Sequence, residues 1–275
     1  GVLHGMLRVR GFTQDDAHVF CTPEQAESQV ERLLDLVAEM LAVFGYPWTV
    51  ELSTRPEKAL GTPEVWEKAE KLLATVLKRR GTPFDIDAGG GAFYGPKLDF
   101  KLIDAIGRKW QGPTVQLDFN LPERIQLEYV GEGNARHRPV MLHRVLVGTM
   151  ERFVGGLIEH YAGNFPLWLA PEQITVIPIS PEQGEAAAAL TKRLRDVGLR
   201  VGYDAETRED YRERIKIASQ MKVPYMAILG RREVEAGTVA LRYRGAEKRQ
   251  ETISVNDLVT RLVREKEQRA LEPLG

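Results

Sequence analysis

One stretch of this sequence, RVRGFTQDDAHVF between positions 8 and 20, alternates between chemically reactive and inert residue types. Side chains two positions apart in an extended chain lie on the same side, so its even positions would share one face. On such a face an arginine could bind a phosphate, an aromatic ring could stack on a base, a carboxylate could hold an amine and an imidazole could bind a metal. We therefore predict a strand whose even face forms a binding site. Its members are Arg8, Phe12, Gln14, Asp16 and His18.

A second imidazole, His143, lies in the apolar stretch PVMLHRVLVG. Two histidines on strands of one antiparallel sheet could meet across it, although each could instead be a hydrogen-bonded core residue. A catalytic zinc site needs at least three protein ligands. Cys21 is three residues from His18 and therefore points to the opposite face of the strand. The sequence offers two metal ligands and no convincing third.

Two further stretches are typical of a lined pocket. The glycine-rich GGGAFYGPK, at positions 89–97, would let its backbone approach a ligand while Tyr94 and Lys97 reach in. Its spacing matches neither a phosphate-binding Walker loop nor a dinucleotide fingerprint, and a simple hairpin is the alternative. In WQGPTVQLDF, Thr114, Gln116 and Asp118 alternate with apolar residues, which fits a pocket wall and also a half-exposed strand.

A candidate anion site lies in GTMERF, where Thr149 precedes a predicted helix and Arg152 occupies its third position. The free N–H groups and the partial positive charge of a helix N-terminus attract anions, and the arginine adds a full charge. A surface ion pair between Arg152 and Glu151 is the alternative.

The elements that must position these residues fall into two domains. The chain has 275 residues, 43% of them hydrophobic, which is enough for two cores. Residues 1–170 show two amphipathic helices and several short alternating strands, which predicts an α+β domain with an antiparallel sheet. Residues 171–275 alternate strands with helices, which predicts a small α/β domain with a mostly parallel sheet.

Composition restricts the class of protein. The net charge is −1, so a nucleic acid would have to be held by a local basic surface. A single cysteine excludes a disulfide framework and predicts a cytoplasmic location. No apolar stretch approaches the roughly 20 residues of a membrane span, and no signal-peptide core is present, so no membrane partner is expected.

The motifs together resemble those of a known family. The spacing Arg8-x-x-x-Phe12-x-x-x-Asp16 resembles the second half of motif 2 of class II aminoacyl-tRNA synthetases, and GTMERF resembles their motif 3. TQDDAH, LSTRPEK, GAFYGPK, TVQLDF and HR…MERF are similar to threonyl-tRNA synthetases in particular. The resemblance covers essentially the whole chain. It implies a class II catalytic domain lacking its N-terminal part over residues 1–170, and an anticodon-binding domain over residues 171–275.

The resemblance also implies roles for individual residues. Arg8, Lys97 and Arg152 would be catalytic, with the two arginines on ATP phosphates, and Phe12 would stack on adenine. His18 and His143 would hold zinc, whose third ligand is a cysteine upstream of motif 2. The threonine and adenylate pocket would include Gln14, Asp16, Tyr94, Gln111, Thr114, Gln116 and Thr149, the last replacing a common serine. The anticodon contacts would be Lys222, Glu233 and Arg242.

The implied activity is ATP-dependent ligation of L-threonine to tRNA(Thr) through a threonyl-adenylate, with Mg²⁺ accompanying ATP and zinc recognising threonine. The full-length protein would be a homodimer. Since motif 1 and the first half of motif 2 lie upstream in the family, we expect this chain to be a C-terminal part that is inactive alone. The alternatives are an adenylating enzyme with a non-tRNA acceptor and a non-catalytic tRNA-binding or regulatory paralogue.

Overall fold

A computed structural model of the chain describes residues 3–203, 209–245 and 250–274. It divides into two compact units, residues 1–160 and residues 161–275. The domain boundary that we predict after Ala170 lies beyond this division and stays a prediction. Within the described ranges, no helix combines the length and the apolar character needed to span a membrane.

The first unit is built on a six-stranded sheet that runs β1-β8-β5-β4-β2-β3, with β6 and β7 forming a separate hairpin. The strands are β1 (Ala17–Cys21), β2 (Trp48–Ser53), β3 (Phe84–Asp87), β4 (Lys97–Ile103), β5 (Lys109–Asp118), β6 (Tyr129–Val130), β7 (Arg136–His137) and β8 (Val140–Val145). The helices are α1 (Ala26–Val43), α2 (Pro63–Arg79), α3 (Asn120–Arg124) and α4 (Met150–His160).

Residues 48–87 form a β-α-β unit, which the prediction of an antiparallel sheet missed. The 17 residues of α2 connect β2 to β3, which pair in parallel, with Val50 opposite Phe84 and Ser53 opposite Asp87. A parallel pair needs a crossover of roughly a dozen residues or more, and this helix supplies it. The prediction of antiparallel pairing is confirmed for the other neighbouring pairs of the sheet.

The helices α1 and α2 pack on one face of this sheet and on each other. Apolar residues recur at helical spacing in both, and the same residues are buried. Beneath the helices lie strand residues such as Leu98, Val115 and Leu142, all without exposed surface. Because side chains alternate across a strand, the residues between these leucines and valines lie on the opposite face. That opposite face carries the candidate site.

The predicted strand over positions 8–20 is wrong in its extent. The strand β1 begins only at Ala17, and the described residues before it contribute isolated bridges and no strand, one of them between Gln14 and Thr149. Arg8 instead closes a tight turn with His4. The segment before β1 is held by side chains and not by a ladder of backbone hydrogen bonds, so Arg8 and Phe12 do not continue the even face of the strand.

The second unit has a five-stranded sheet in the order β10-β9-β11-β12-β13. The strands are β9 (Ile174–Pro178), β10 (Val201–Gly202), β11 (Tyr225–Leu229), β12 (Thr238–Tyr243) and β13 (Gln250–Ser254). The helices are α5 (Gly184–Asp196), α6 (Tyr211–Gln220), α7 (Arg231–Ala236) and α8 (Val255–Glu267). Its core includes Ile174, Ala187, Tyr225, Leu241 and Leu258.

This second sheet is mixed, so the prediction of a mostly parallel sheet was wrong. The strands β10, β9 and β11 pair in parallel, whereas β11–β12 and β12–β13 are antiparallel. The connection from Leu229 to Thr238 holds only the short helix α7, which is too short for a parallel crossover. The chain therefore turns back beside the strand that it has just left.

Candidate active site

One register row of polar side chains crosses all six strands of the first sheet. Residues opposite each other in neighbouring strands project from the same face, so the row gathers residues that are distant in sequence. It runs Asp87, Ser53, Lys97, Gln116, His143 and His18 from β3 to β1. Four of these six were predicted site residues, and the ladder places them side by side.

A cavity of about 220 Å³ opens above this face. Nine of the thirteen site residues predicted in the first unit line it, and Gly112, Arg144, Val145 and Gly148 complete the lining. The nine are Gln14, Asp16, Tyr94, Gln111, Thr114, Gln116, His143, Thr149 and Arg152. The other four, Arg8, Phe12, His18 and Lys97, lie outside the lining. Phe12 is 57% exposed.

The two predicted metal ligands face each other across β1 and β8. His18 pairs with His143 in register, and their ring centroids are 4.5 Å apart in an edge-to-face arrangement. His143 Nε2 lies 2.9 Å from Oδ2 of Asp118, which is completely buried. Because an ionised carboxylate only accepts hydrogen bonds, Nε2 carries the hydrogen and Nδ1 is left to bind a metal. Histidine ligands of metals are commonly oriented by a carboxylate in this way.

No third metal ligand joins this pair within the described part of the chain, where no group of three or more histidine, cysteine or acidic side chains could hold a metal. Cys21 lies on the other face of β1 and lines a separate cavity with Phe20 and Tyr129. Burial raises the pKa of its thiol, which favours the protonated form over the metal-binding thiolate. The donor set fits zinc in its two imidazoles and needs one ligand more.

The glycine-rich stretch places Tyr94 against the row. Its hydroxyl donates to Gln116 Oε1, and its ring lies 4.9 Å from that of His143. Burial, with the nearby charges of Asp118 and Asp16, raises the pKa of Tyr94, so the phenol stays protonated and remains a donor. Gly95 is required here, because a Cβ at this position would lie 1.9 Å from the Leu117 carbonyl oxygen.

Asp99, on β4, is a buried member of the site that sequence reasoning missed. It is 1% exposed, lies opposite Thr114, and accepts hydrogen bonds from site residues on both β4 and β5. The signal was present in KLDFKL, where a carboxylate stands between two apolar residues of a central strand. A charge in that position needs partners, so it marks a polar network.

Asp15 is a second residue that sequence reasoning missed. Its carboxylate accepts from Arg144 Nη1 at 2.7 Å and from the backbone N–H groups of Leu146 and Val147, at 2.9 Å and 3.1 Å. These contacts fasten the segment before β1 to the connection between β8 and α4. Gln14 therefore reaches the cavity from a segment outside the strand.

The start of α4 supplies the cationic edge of the cavity. Arg152 Nε donates to the Leu7 carbonyl at 2.8 Å, and Nη1 donates to the Gln111 carbonyl at 3.4 Å. Gly148 precedes the helix with φ of +73°, and a Cβ there would lie 3.0 Å from the Gly112 carbonyl oxygen. The close approach of these two glycines lets the helix N-terminus stand directly at the cavity.

Two of the three predicted anticodon residues meet in the second unit. Glu233 and Arg242 line a cavity of about 490 Å³ together with Tyr211 and Arg212. Glu233 Oε2 also accepts from the Gly230 N–H at 3.0 Å and so fixes the start of α7. The third predicted residue does not line this cavity. Lys222, with φ of +58°, donates from its ammonium to the Ala162 carbonyl.

Comparison with known proteins decides the family. Residues 2–161 match the family described as the tRNA synthetase class II core domain (G, H, P, S and T). The chain belongs to the class II aminoacyl-tRNA synthetases. Residues 173–265 of this synthetase chain match the anticodon binding domain. The predicted fold class, a class II catalytic domain followed by an α/β anticodon-binding domain, is confirmed.

Among curated proteins, the synthetase chain is similar to threonine–tRNA ligases. It is 52% identical over 244 residues to that of Syntrophotalea carbinolica, covering 89% of this chain and 38% of the relative. It is 48% identical over 272 residues to that of Magnetococcus marinus, covering 98% and 42%. The synthetase chain thus spans about two fifths of the length of these relatives. The resemblance to threonyl-tRNA synthetases in its motifs is confirmed.

Solved structures give the same family. A crystal structure described as the RNA binding domain of threonyl-tRNA synthetase from Cryptosporidium parvum has a TM-score of 0.90 and 36% sequence identity. The match covers 95% of this synthetase chain and 66% of that one. A putative threonyl-tRNA synthetase of Aeropyrum pernix has a TM-score of 0.79 and 29% identity, covering 99% of this chain and 67% of that one.

Proposed function

We propose that this chain supplies the amino-acid-activating and anticodon-binding parts of a threonine–tRNA ligase. The observation that carries the proposal is the cavity beside the His18–His143 pair, with Asp16 and Arg152 in its lining. At about 220 Å³ it is smaller than the roughly 300–1,000 Å³ of pockets for drug-sized ligands, and so suits an amino acid. The similarity to relatives named threonine–tRNA ligases supports the choice of threonine.

In the proposed reaction, the threonine carboxylate attacks the α-phosphate of Mg-ATP in line, and pyrophosphate leaves. The Asp16 carboxylate would accept a hydrogen bond from the threonine amine and so fix the direction of attack. Arg152, at the N-terminus of α4, would stabilise the charge that develops on the phosphate. Arg8 and Lys97 would complete the cationic side, and Phe12 would stack on adenine. A ribose hydroxyl of the terminal adenosine of tRNA(Thr) then attacks the carbonyl carbon of the threonyl-adenylate and loses its proton, the acyl–phosphate bond breaks, and AMP leaves.

Zinc is part of this proposal, held by His18 and His143 with a third ligand upstream. Bound zinc would recognise the amine and the side-chain hydroxyl of threonine. A site that demands a hydroxyl rejects an analogue lacking it by on the order of 10⁴ to 10⁵, so valine would be excluded. Serine lacks only a methyl group, which is worth roughly 1–3 kcal/mol, and would be activated at an appreciable rate.

The second unit would bind the anticodon of tRNA(Thr) at the cavity that holds Glu233 and Arg242. An aromatic ring and two arginines beside a carboxylate can stack on a base, bind its phosphate and read its donors. Lys222 remains a proposed contact. A cytoplasmic homodimer and the inactivity of this chain without its upstream part belong to the same proposal.

The experiment is threonine-dependent ATP–pyrophosphate exchange, measured with zinc and Mg-ATP on a polypeptide that continues upstream through motif 1. We expect exchange with threonine, slower exchange with serine and none with valine. The R152Q variant should lose at least about a hundredfold in kcat. R136Q, which removes an arginine that is 75% exposed, is the matched control and should retain its rate.

Each alternative has its own outcome. Absence of exchange together with retained tRNA binding would identify a non-catalytic paralogue. Exchange without charging of tRNA(Thr) would identify an adenylating enzyme with another acceptor. Deletion of the residues after Ala170 should abolish tRNA binding, and retention of binding would contradict the role of the second unit.

A further inference from the structure

The buried carboxylate of Asp99 lies within hydrogen-bond distance of four donor groups from three strands. Its Oδ1 accepts from Gln111 Nε2 at 2.8 Å and from Thr114 Oγ1 at 3.0 Å. Its Oδ2 accepts from the Lys97 ammonium. Ser53 Oγ lies 3.2 Å from this oxygen and 3.0 Å from Asp87 Oδ2, and it gives its single hydrogen to one of the two carboxylates at a time. Gln111 and Thr114 line the cavity, whereas Asp99 does not. Asp99 therefore contacts the side chains of the cavity wall without facing the cavity.

This arrangement decides which hydrogen-bonding groups the wall presents. A threonine hydroxyl has a single hydrogen, and Thr114 gives it to Asp99, so toward the cavity Thr114 can only accept. Gln111 Nε2 also donates to Thr114 Oγ1 at 2.8 Å, and Gln111 Oε1 accepts from Lys101 Nζ at 2.8 Å. Both ends of the Gln111 amide are thus committed, and its orientation is fixed.

The site demands a carboxylate at this position. An asparagine would offer one acceptor oxygen, which cannot serve both the Gln111–Thr114 side and the Lys97–Ser53 side. The NH₂ group of the asparagine would face the donors of whichever of these two sides the oxygen does not serve. Because Asp99 is 1% exposed, water cannot replace the lost acceptor.

We propose that Asp99 is a positioning residue of the amino-acid site, which fixes Thr114 as a hydrogen-bond acceptor for the primary amine of the ligand and holds Lys97 in place. The ligand class follows from two groups of the cavity lining, since Thr114 and Asp16 both accept and together match the two hydrogens of an unprotonated primary amine. This proposal rests on the proposed function of the cavity as the threonine site.

The first test compares D99N with D87N in the exchange assay described above. Asp87 accepts from the same Ser53 hydroxyl at 3.0 Å and makes no hydrogen bond to a residue of the cavity lining, so it is a matched control. We expect D99N to raise the KM for threonine about tenfold and to lower kcat about tenfold, and D87N to stay within about twofold. A loss of folded protein would lower kcat alone. An unchanged KM in folded D99N would overturn the proposal.

Variants at Thr114 test the hydrogen bond between Thr114 and Asp99 and leave the Asp99 carboxylate in place. They test the proposal even if D99N fails to fold. T114V removes the hydroxyl and leaves Asp99 its other three donors. We expect its KM for threonine to rise about tenfold, and T114S, which restores a hydroxyl, to lie at least about fivefold below T114V. Equal KM values for T114V and T114S would contradict the proposal.

A third measurement does not depend on enzymatic activity. Acetylation of lysine amines by acetic anhydride, followed by mass spectrometry on this chain, reports how firmly Lys97 is held. We expect Lys97 to react about tenfold faster in D99N than in D87N, with no difference at the exposed Lys192. Equal rates at Lys97 would overturn its positioning by Asp99. A change at Lys97 in this chain, together with no threonine-dependent exchange in the polypeptide that continues upstream through motif 1, would mean that the proposed function fails and the positioning role stands.

Discussion

The hydrogen bond between His143 Nε2 and Asp118 determines that Nδ1 is the nitrogen of His143 available to a metal. In D118N the amide oxygen can keep its bonds to the backbone N–H groups of Asn120 and Leu121, while its NH₂ group faces His143 Nε2. Nε2 must then accept, so the ring hydrogen moves to Nδ1, the nitrogen that would bind zinc. We expect the dissociation constant for zinc to rise about 10–100-fold, as is usual when such a partner is lost.

Zinc affinity can be measured by competition with a chromophoric chelator, on a polypeptide that includes the upstream ligand. D87N, at the far end of the same register row, is the control and should bind zinc as the unaltered protein does. Equal affinity in D118N and D87N would show that Asp118 does not select the tautomer.

At the scale of single residues, the sequence predicted the exposed members of the site better than the buried ones. His18 and His143 could be paired in advance, because alternation gives the face of each strand residue. Asp99 was missed, and Asp118 was predicted only as one of the polar residues that alternate along its strand, because alternation does not say whether a polar face is open to water. Only the burial of Asp99 and Asp118, 1% and 0% exposed, reveals that they must satisfy several donors.

At the scale of elements, Asp15 holds the segment before β1 against the connection from β8 to α4. In D15N an amide NH₂ would face the donors of Arg144 and Leu146, so the connection should open more often. We expect the Leu146 and Val147 amide hydrogens to exchange about 10–100-fold faster, as measured by mass spectrometry on this chain.

The control for this prediction is D35N, which removes the charge of a carboxylate that is 66% exposed in a surface ion pair with Arg80. Surface pairs contribute little, so this variant should exchange as the unaltered chain does. Unchanged protection of Leu146 and Val147 in D15N would mean that backbone contacts alone hold the connection.

The direction and the length of individual strands were harder to predict from the sequence than the helices. The helices α1 and α2 could be predicted, since each carries a clear apolar stripe. The parallel pairing of β2 with β3 was missed because short alternating strands favour antiparallel neighbours in general, while the direction of a particular pair depends on where α2 returns the chain. The length of β1 was overestimated because alternation persists through residues 9–16, where Asp15 replaces the strand ladder.

The hairpin of β4 and β5 should depend on Asp104 in a pH-dependent way. Burial alone would raise the pKa of Asp104, but hydrogen bonds from Trp110, Arg108 and the Ile106 backbone lower it well below its usual range. A depressed pKa means stabilisation that is complete above about pH 4 and is lost as the pH falls. We expect D104N to melt about 3–6 °C lower at pH 7, with the difference shrinking below pH 4.

Melting temperatures of this chain between pH 3 and pH 7 would check the Asp104 prediction. D85N is the control, because the Asp85 side chain is 76% exposed and its Oδ2 lies 3.8 Å from Lys109 Nζ, so it makes only a loose surface ion pair. If D104N and the unaltered chain had the same melting temperature at pH 7, or if their difference grew on acidification, the assigned hydrogen bonds would be contradicted.

At the scale of the whole molecule, the division into two units has a direct consequence. Residues 161–275 have their own sheet and their own apolar core, so we expect them to fold when expressed alone. A cooperative urea transition would show this. A chain that remains unfolded would mean that the second unit needs more than its own core.

The same fragment should show the effect of Glu265, a residue of α8 that is 2% exposed and accepts from Tyr225 Oη at 2.7 Å. Burial raises the pKa of Glu265, outweighing the hydrogen bonds from Tyr225 and the Leu274 N–H and the charge of Arg261. A raised pKa means stabilisation that is present at acidic pH and is lost as the pH rises through the folded-state pKa.

The variant E265Q keeps an acceptor for Tyr225 but carries no charge, so its stability should not fall in the same way. We expect the free energy of unfolding of E265Q, relative to that of the unaltered fragment, to be higher at pH 7 than at about pH 4.5, by on the order of 1 kcal/mol. Urea denaturation at both pH values measures this gain, with E267Q, an exposed neighbour on the same helix, as the control. A gain that is equal at both pH values would show that the Glu265 carboxylate is as well solvated in the fold as in the unfolded chain.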